Sequence, residues 1–115
     1  MADKTYSFAL KIIAIYKDLN NEKEFLLSKQ ILKSGTSIGA NVNEAIAAVS
    51  KKDFVNKLGI SLKEARETMY WLNLLKDSGY IDNEKFKNMN AECDEIIRIL
   101  SSIILTTKER YLTHN

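Results

Sequence analysis

Proline is absent from all 115 residues, and glycine occurs only at Gly35, Gly39, Gly59 and Gly79. A many-stranded sheet needs a turn at every reversal, and turns draw on these two residues first. The chain therefore predicts a few long helices. The first runs from about Lys4 to Leu19, where Tyr6, Ala9, Ile12, Ile13, Tyr16 and Leu19 recur at steps of three and four, and it ends at the Asn20, Asn21 pair. A second begins near Glu22 and carries Leu27, Ile31, Ser34, Ile38, Val42, Ala45 and Val49 on one face. Its interior glycines Gly35 and Gly39 each cost about 1 kcal/mol relative to alanine. That cost implies close approach by a neighbouring helix, or a local irregularity.

Ser50-Lys51-Lys52-Asp53 resembles a capping box with Asp in the usual Glu place, so a third helix is expected to start there. Its core stripe is read as Leu58, Leu62, Ala65, Met69 and Leu72, with Phe54 and Val55 at its base and Gly79 as a left-handed terminator. Asp82 reads as the next N-cap. Beyond it, Phe86, Met89, Cys93, Ile96, Leu100 and Ile103 follow the rhythm of a bundle seam, widened by Ile97, Ile104 and Tyr111. Four helices joined by short connections must lie antiparallel to their sequence neighbours. The expected fold is all-α, a single domain over residues 1–115 forming an up-down-up-down four-helix bundle.

Composition narrows function mainly by exclusion. Seventeen basic and fifteen acidic residues give a formal charge of +2, far short of the excess that marks binding to nucleic acid by bulk electrostatics. Cys93 is the single cysteine and His114 the single histidine, the latter near the C-terminus. Neither a catalytic base nor a buried metal site is expected from them, and most enzyme classes are disfavoured. Glu64 and Glu67 lie one helical turn apart, but no Glu-x-x-His pair completes a di-iron set. With Lys63 and Arg66 they are expected to form surface ion pairs. No phosphate-binding glycine loop or nucleophile elbow occurs. No cofactor or metal is expected. Asp3, Lys4, Lys11 and Lys17 interrupt the N-terminal segment, so neither a secretion signal nor a membrane span is expected and the cytosol is the expected compartment.

Three surface constellations stand out. Ile60, Trp71 and Leu74 fall roughly opposite the expected stripe of the third helix, which predicts an outward apolar face used for self-association or for a partner; peripheral core is the structural alternative. Gln30, Ser37, Asn41 and Glu44 flank the second helix, and Lys57, Ser61, Glu64 and Thr68 flank the third. In an antiparallel hairpin turning near Val49 and Ser50, facing position numbers add to about 100. Glu44 then meets Lys57, Ser37 meets Ser61, and Gln30 meets Thr68, as a structural ladder or as a polar groove. Lys29, Lys33, Lys51, Lys52 and Lys57 are candidate nucleic-acid contacts; solvated helix faces are their plain alternative.

Two stretches resemble a known family. The run from Gln30 to Ala45, containing Ser37-Ile38-Gly39-Ala40-Asn41 followed by Glu44, and the run from Ser50-Lys51-Lys52-Asp53-Phe54 through Leu58-Gly59-Ile60-Ser61-Leu62-Lys63-Glu64 to Glu67-Thr68-Met69-Tyr70-Trp71-Leu72, are similar to the four-helix-bundle proteins encoded in intervening sequences of bacterial 23S ribosomal RNA genes. Many members of that family carry Glu-Gly where this chain has Glu44-Ala45. The resemblance implies a four-helix bundle assembling as a ring, as a homopentamer, and no known active site. It also implies kinship with the nucleic-acid-associated accessory protein of diversity-generating retroelements. The function expected on these grounds is a non-enzymatic, ring-forming bundle associated with RNA or another nucleic acid. The alternative from another class is a protein-interaction scaffold with no nucleic-acid role.

Overall fold

The computed structural model describes residues 1–112. Four helices follow one another: α1 (Ala2–Asn21), α2 (Leu26–Ile46), α3 (Lys51–Asp77) and α4 (Asn83–Thr107), and α4 runs on into a π-helical turn, Lys108–Leu112. Among the described residues there is no strand. Each helix packs on its sequence neighbours, and α4 returns beside α1. The result is an antiparallel four-helix bundle, a rod of 54 × 22 × 21 Å.

Helix ends follow from local chemistry. The Ser50 side chain accepts from the Asp53 N–H at 3.0 Å, and Asp82 accepts from the Lys85 N–H at 2.7 Å, so both expected N-caps form. At the end of α3, the Tyr80 N–H donates to the Leu75 carbonyl and the Gly79 N–H to that of Lys76. Gly79 sits at φ +81, completing a Schellman motif. The end of α1 repeats this geometry without glycine. The Glu24 N–H donates to the Leu19 carbonyl and the Lys23 N–H to that of Asn20, with Lys23 at φ +63. α2 has no Ser, Thr, Asp or Asn cap; instead Glu24 Oε1 accepts from the Leu26 and Leu27 N–H groups at 2.9 and 2.8 Å.

Both boundaries of α2 differ from the sequence expectation. It starts at Leu26 rather than near Glu22, because Lys23 at positive φ lies off the helical path. α2 ends at Ile46, and Val49, expected on its buried face, is 96% exposed. The extended backbone that Ser50 adopts as a cap (φ −147, ψ 163) cannot continue a helix, so the chain must leave the helical path just before it.

The core is a single seam from all four helices, including Phe8, Ile12, Ile31, Ile38, Leu72 and Ile96, all fully buried. Each such side chain contributes about 1.5–3 kcal/mol by leaving water. Cys93 is buried in this seam, its thiol donating to the Ala65 carbonyl at 3.3 Å. Burial pushes the thiol up to about 12, so it remains protonated at neutral pH. Gly35 and Gly39 make the α1–α2 crossing tight: a Cβ on Gly35 would lie 2.7 Å from two carbons of Ile12, and one on Gly39 would lie 3.2 Å from Thr5 Oγ1. Close approach is thus the use of these glycines. α1 and α4 pack least closely. That seam is spanned by the ion pairs Lys4–Glu95, Lys11–Glu92 at 2.7 Å and Asp18–Lys85 at 3.4 Å.

Candidate functional site

The α2–α3 flank holds most of the residues singled out in the sequence. α3 buries Val55, Leu58, Ser61, Ala65, Thr68, Leu72 and Leu75, a stripe turned by about 40° from the one read through Leu62 and Met69. Ser61 and Thr68 are therefore core residues, not flank residues. Both are fully buried. A buried hydroxyl is tolerated because it finds a partner: Ser61 Oγ donates to the Ile38 carbonyl at 2.7 Å, and the Thr68 and Ser34 hydroxyls share a 2.9 Å hydrogen bond.

The ladder exists with altered rungs. Lys57 Nζ lies 3.2 Å from Glu44 Oε1, as the hairpin register predicted. The expected Ser37–Ser61 and Gln30–Thr68 pairs do not form. Ser37 Oγ donates along its own helix to the Lys33 carbonyl at 2.6 Å, and Asn41 Nδ2 donates to the Ser37 carbonyl at 2.9 Å. Gln30 is exposed. With Lys33, Ser34, Lys63, Glu64 and Glu67 it lines a shallow cleft between the helices. The register was right, but the partners lie one helical face deeper.

Glu64 feels both the neighbouring Glu67 carboxylate and the cations around it. Partial burial, the Glu67 charge and a hydrogen bond to Glu67 hold Glu64 above the ordinary carboxylate range, against the opposing pull of Lys63 and Lys33. Among the described residues, no ion pair within 4 Å joins Lys63, Glu64, Arg66 and Glu67. Three-residue spacing stacks the two carboxylates on one face; nothing in the structure explains why Lys63 and Glu67, four residues apart, do not pair. Among the described residues no group of three or more His, Cys, Asp or Glu side chains is placed to hold a metal ion; His114 lies outside them.

Trp71 is not fully outward. It is half-buried, packs against the core and has its Nε1 enclosed without a hydrogen-bond acceptor. The same rotation that buries Ser61 and Thr68 swings Trp71 toward α2, on the heptad line of Lys57 and Glu64. Tyr70 meets it edge-on at 5.2 Å. Ile60 does face out, 44% exposed, whereas Leu74 is half-buried. Glu67 stands between Ile60 and Leu74 on their shared ridge, so the outer apolar surface is interrupted.

The lysines expected to contact nucleic acid do not share one patch. Lys29 and Lys33 are exposed along α2, whereas Lys51 and Lys52 open α3 at the far end of the hairpin, about 20 Å away by helical rise. Lys57 is engaged by Glu44. One contact had no signal in the sequence. Tyr111, read as a seam residue, is 51% exposed, and Lys51 Nζ stands 4.7 Å from its ring centroid. Its seven-residue step from Ile104 pointed to the core, but the π-helical turn at Lys108–Leu112 changes the residue period and rotates it out.

Comparison with known proteins bears on this architecture. The profile described as 23S rRNA-intervening sequence protein matches residues 1–102. The chain belongs to that family. A crystal structure of a protein with unknown function from the S23 ribosomal protein family, from Bacteroides thetaiotaomicron VPI-5482, is 54% identical in sequence and superimposes with a TM-score of 0.88. That match covers 90% of this chain and 96% of the other. No curated protein matches. Among the described residues of this family member, no helix is long and apolar enough to cross a membrane.

Proposed function

We propose that this protein is a non-catalytic bundle of the bacterial cytosol that self-associates as a ring, five subunits by the family resemblance, and that the ring associates with RNA or another nucleic acid. The observation that supports self-association most is the Trp71 indole donor, buried without an acceptor in its own chain, on the helix that also exposes Ile60. An unpaired buried donor costs about 1–3 kcal/mol. A neighbouring copy that covers this face of α3 and supplies an acceptor would relieve that cost. Repetition of Lys29, Lys33, Lys51 and Lys52 around a ring multiplies weak phosphate contacts through avidity. Ile60→Glu is expected to reduce the mass in multi-angle light scattering to the 13.1 kDa of one chain; an unchanged mass refutes this contact. Retention of structured RNA on filters, falling as salt rises, tests the second half.

A protein-interaction scaffold is the second reading. It is favoured by the small formal charge of +2 and by the pairing of Lys57 with Glu44. Its signature is a stoichiometric protein partner together with no RNA retention at low salt.

A further inference from the structure

One end of the rod gathers the α2–α3 corner, the first turn of α3 and the π-turn Lys108–Leu112, which packs on α3. Tyr111 offers an aromatic ring that is half exposed, with the Lys51 ammonium 4.7 Å from its centroid. Beside Lys51 lies an open depression lined by Ile46, Ala48, Val49, Ser50 and Phe54. Val49 is 96% exposed and Ile46 66%. The first turn of α3 and the π-helical turn carry Lys51, Lys52, Lys108 and Arg110 against Asp53 and Glu109, an excess of positive charge in these two segments; nearby Glu44 is paired with Lys57.

From this arrangement we infer that the Tyr111 end of the bundle is a platform for unpaired nucleotides: a base stacks on the Tyr111 ring, the corner depression accepts a neighbouring base, and Lys51, Lys52 and Lys108 meet the phosphates. The inference rests on the nucleic-acid reading above and specifies single strands as its target. An aromatic ring that carries the Lys51 ammonium over one face and is half exposed suits a base plane joined to a phosphate, whichever base it is. A duplex hides its base faces and gains nothing from the ring. The apolar groups come from separate segments around a depression and not from one continuous helical stripe, which separates this end from a membrane-surface helix. Tyr111 and Lys108 lie beyond residues 1–102 matched by the family profile, whereas Lys51, Lys52 and the depression lie within them.

Fluorescence anisotropy with a labelled oligouridylate of about twelve nucleotides, in about 50 mM KCl, tests the inference on the full chain. Tyr111→Ala is expected to weaken single-strand binding about tenfold and to leave binding of a blunt duplex unchanged, while Tyr111→Phe retains wild-type affinity. Lys52→Gln should reduce the salt slope by about 0.7. Wild-type binding that Tyr111→Ala does not weaken, or weakens equally for duplex, overturns the platform and leaves the broader nucleic-acid reading standing. No binding of either nucleic acid by the wild-type protein overturns both. Tighter capture by vesicles of mixed phosphatidylserine and phosphatidylcholine than by the oligonucleotide, lost in Tyr111→Ala, assigns this end to lipid and overturns the inference.

Discussion

At the scale of single residues, two positions show how little space separates a useful side chain from a harmful one. Gly35→Ala gains about 1 kcal/mol of helix propensity, but its Cβ would press on the branched side chain of Ile12 at 2.7 Å. Overpacking of this kind costs about 1–3 kcal/mol. The expected outcome in urea denaturation is a net loss of about 1 kcal/mol, with a double-mutant cycle against Ile12→Ala revealing favourable coupling. Glu64 presents the electrostatic counterpart. Its folded-state affinity for a proton exceeds the unfolded one, so between the two values the folded chain binds more protons and stability falls as pH rises. Ionised Glu64 therefore costs stability at neutral pH. Glu64→Gln is expected to raise the urea midpoint slightly at pH 7, and the gain should vanish once pH drops below the ordinary glutamate range. The effect is small because solvent screens a side chain this accessible.

At the scale of the element, helix ends and seams are specified by different means. The end of α1 adopts a Schellman motif with Lys23 at positive φ, a conformation that costs a side chain about 1 kcal/mol and glycine almost nothing. Lys23→Gly is thus expected to stabilise the bundle by about 0.5–1 kcal/mol, read as a higher midpoint in thermal or urea unfolding, even though glycine also loosens the unfolded chain. The seams divide between dry and wet. α2 and α3 are registered by buried hydroxyls at Ser61, Thr68 and Ser34, where an unmade bond carries a full desolvation penalty. α1 and α4 are registered by exposed ion pairs, which solvent screens and salt weakens. Lys4 holds the Glu95 carboxyl below the ordinary range through a hydrogen bond and its charge; that contribution is present above the unfolded value and is lost as pH falls through the folded one.

At the scale of the whole molecule, one seam of apolar side chains ties all four helices together, so unfolding should be cooperative. Cys93 reports on it. Fully buried, protonated and donating to Ala65, its thiol should resist a thiol-specific reagent at neutral pH in the native state and react at once in urea, with a labelling transition that coincides with loss of helical circular dichroism. Labelling of the native protein at the rate of a free thiol would contradict a sealed seam. The sequence by itself determined the helical class, the antiparallel order, the Ser50 and Asp82 caps, the Gly79 terminator and the Glu44–Lys57 rung, because propensity, capping and spacing act over a few residues. It placed the core stripe of α3 about 40° off, since a serine or threonine looks polar until a neighbouring helix supplies its acceptor. Only the tertiary structure decided that Ser61 and Thr68 lie inside, that Trp71 turns toward α2 with its donor unpaired, and that Lys51 meets Tyr111 across the end of the rod. Those outcomes depend on how four helices rotate to share one interior, and no single helix carries that information.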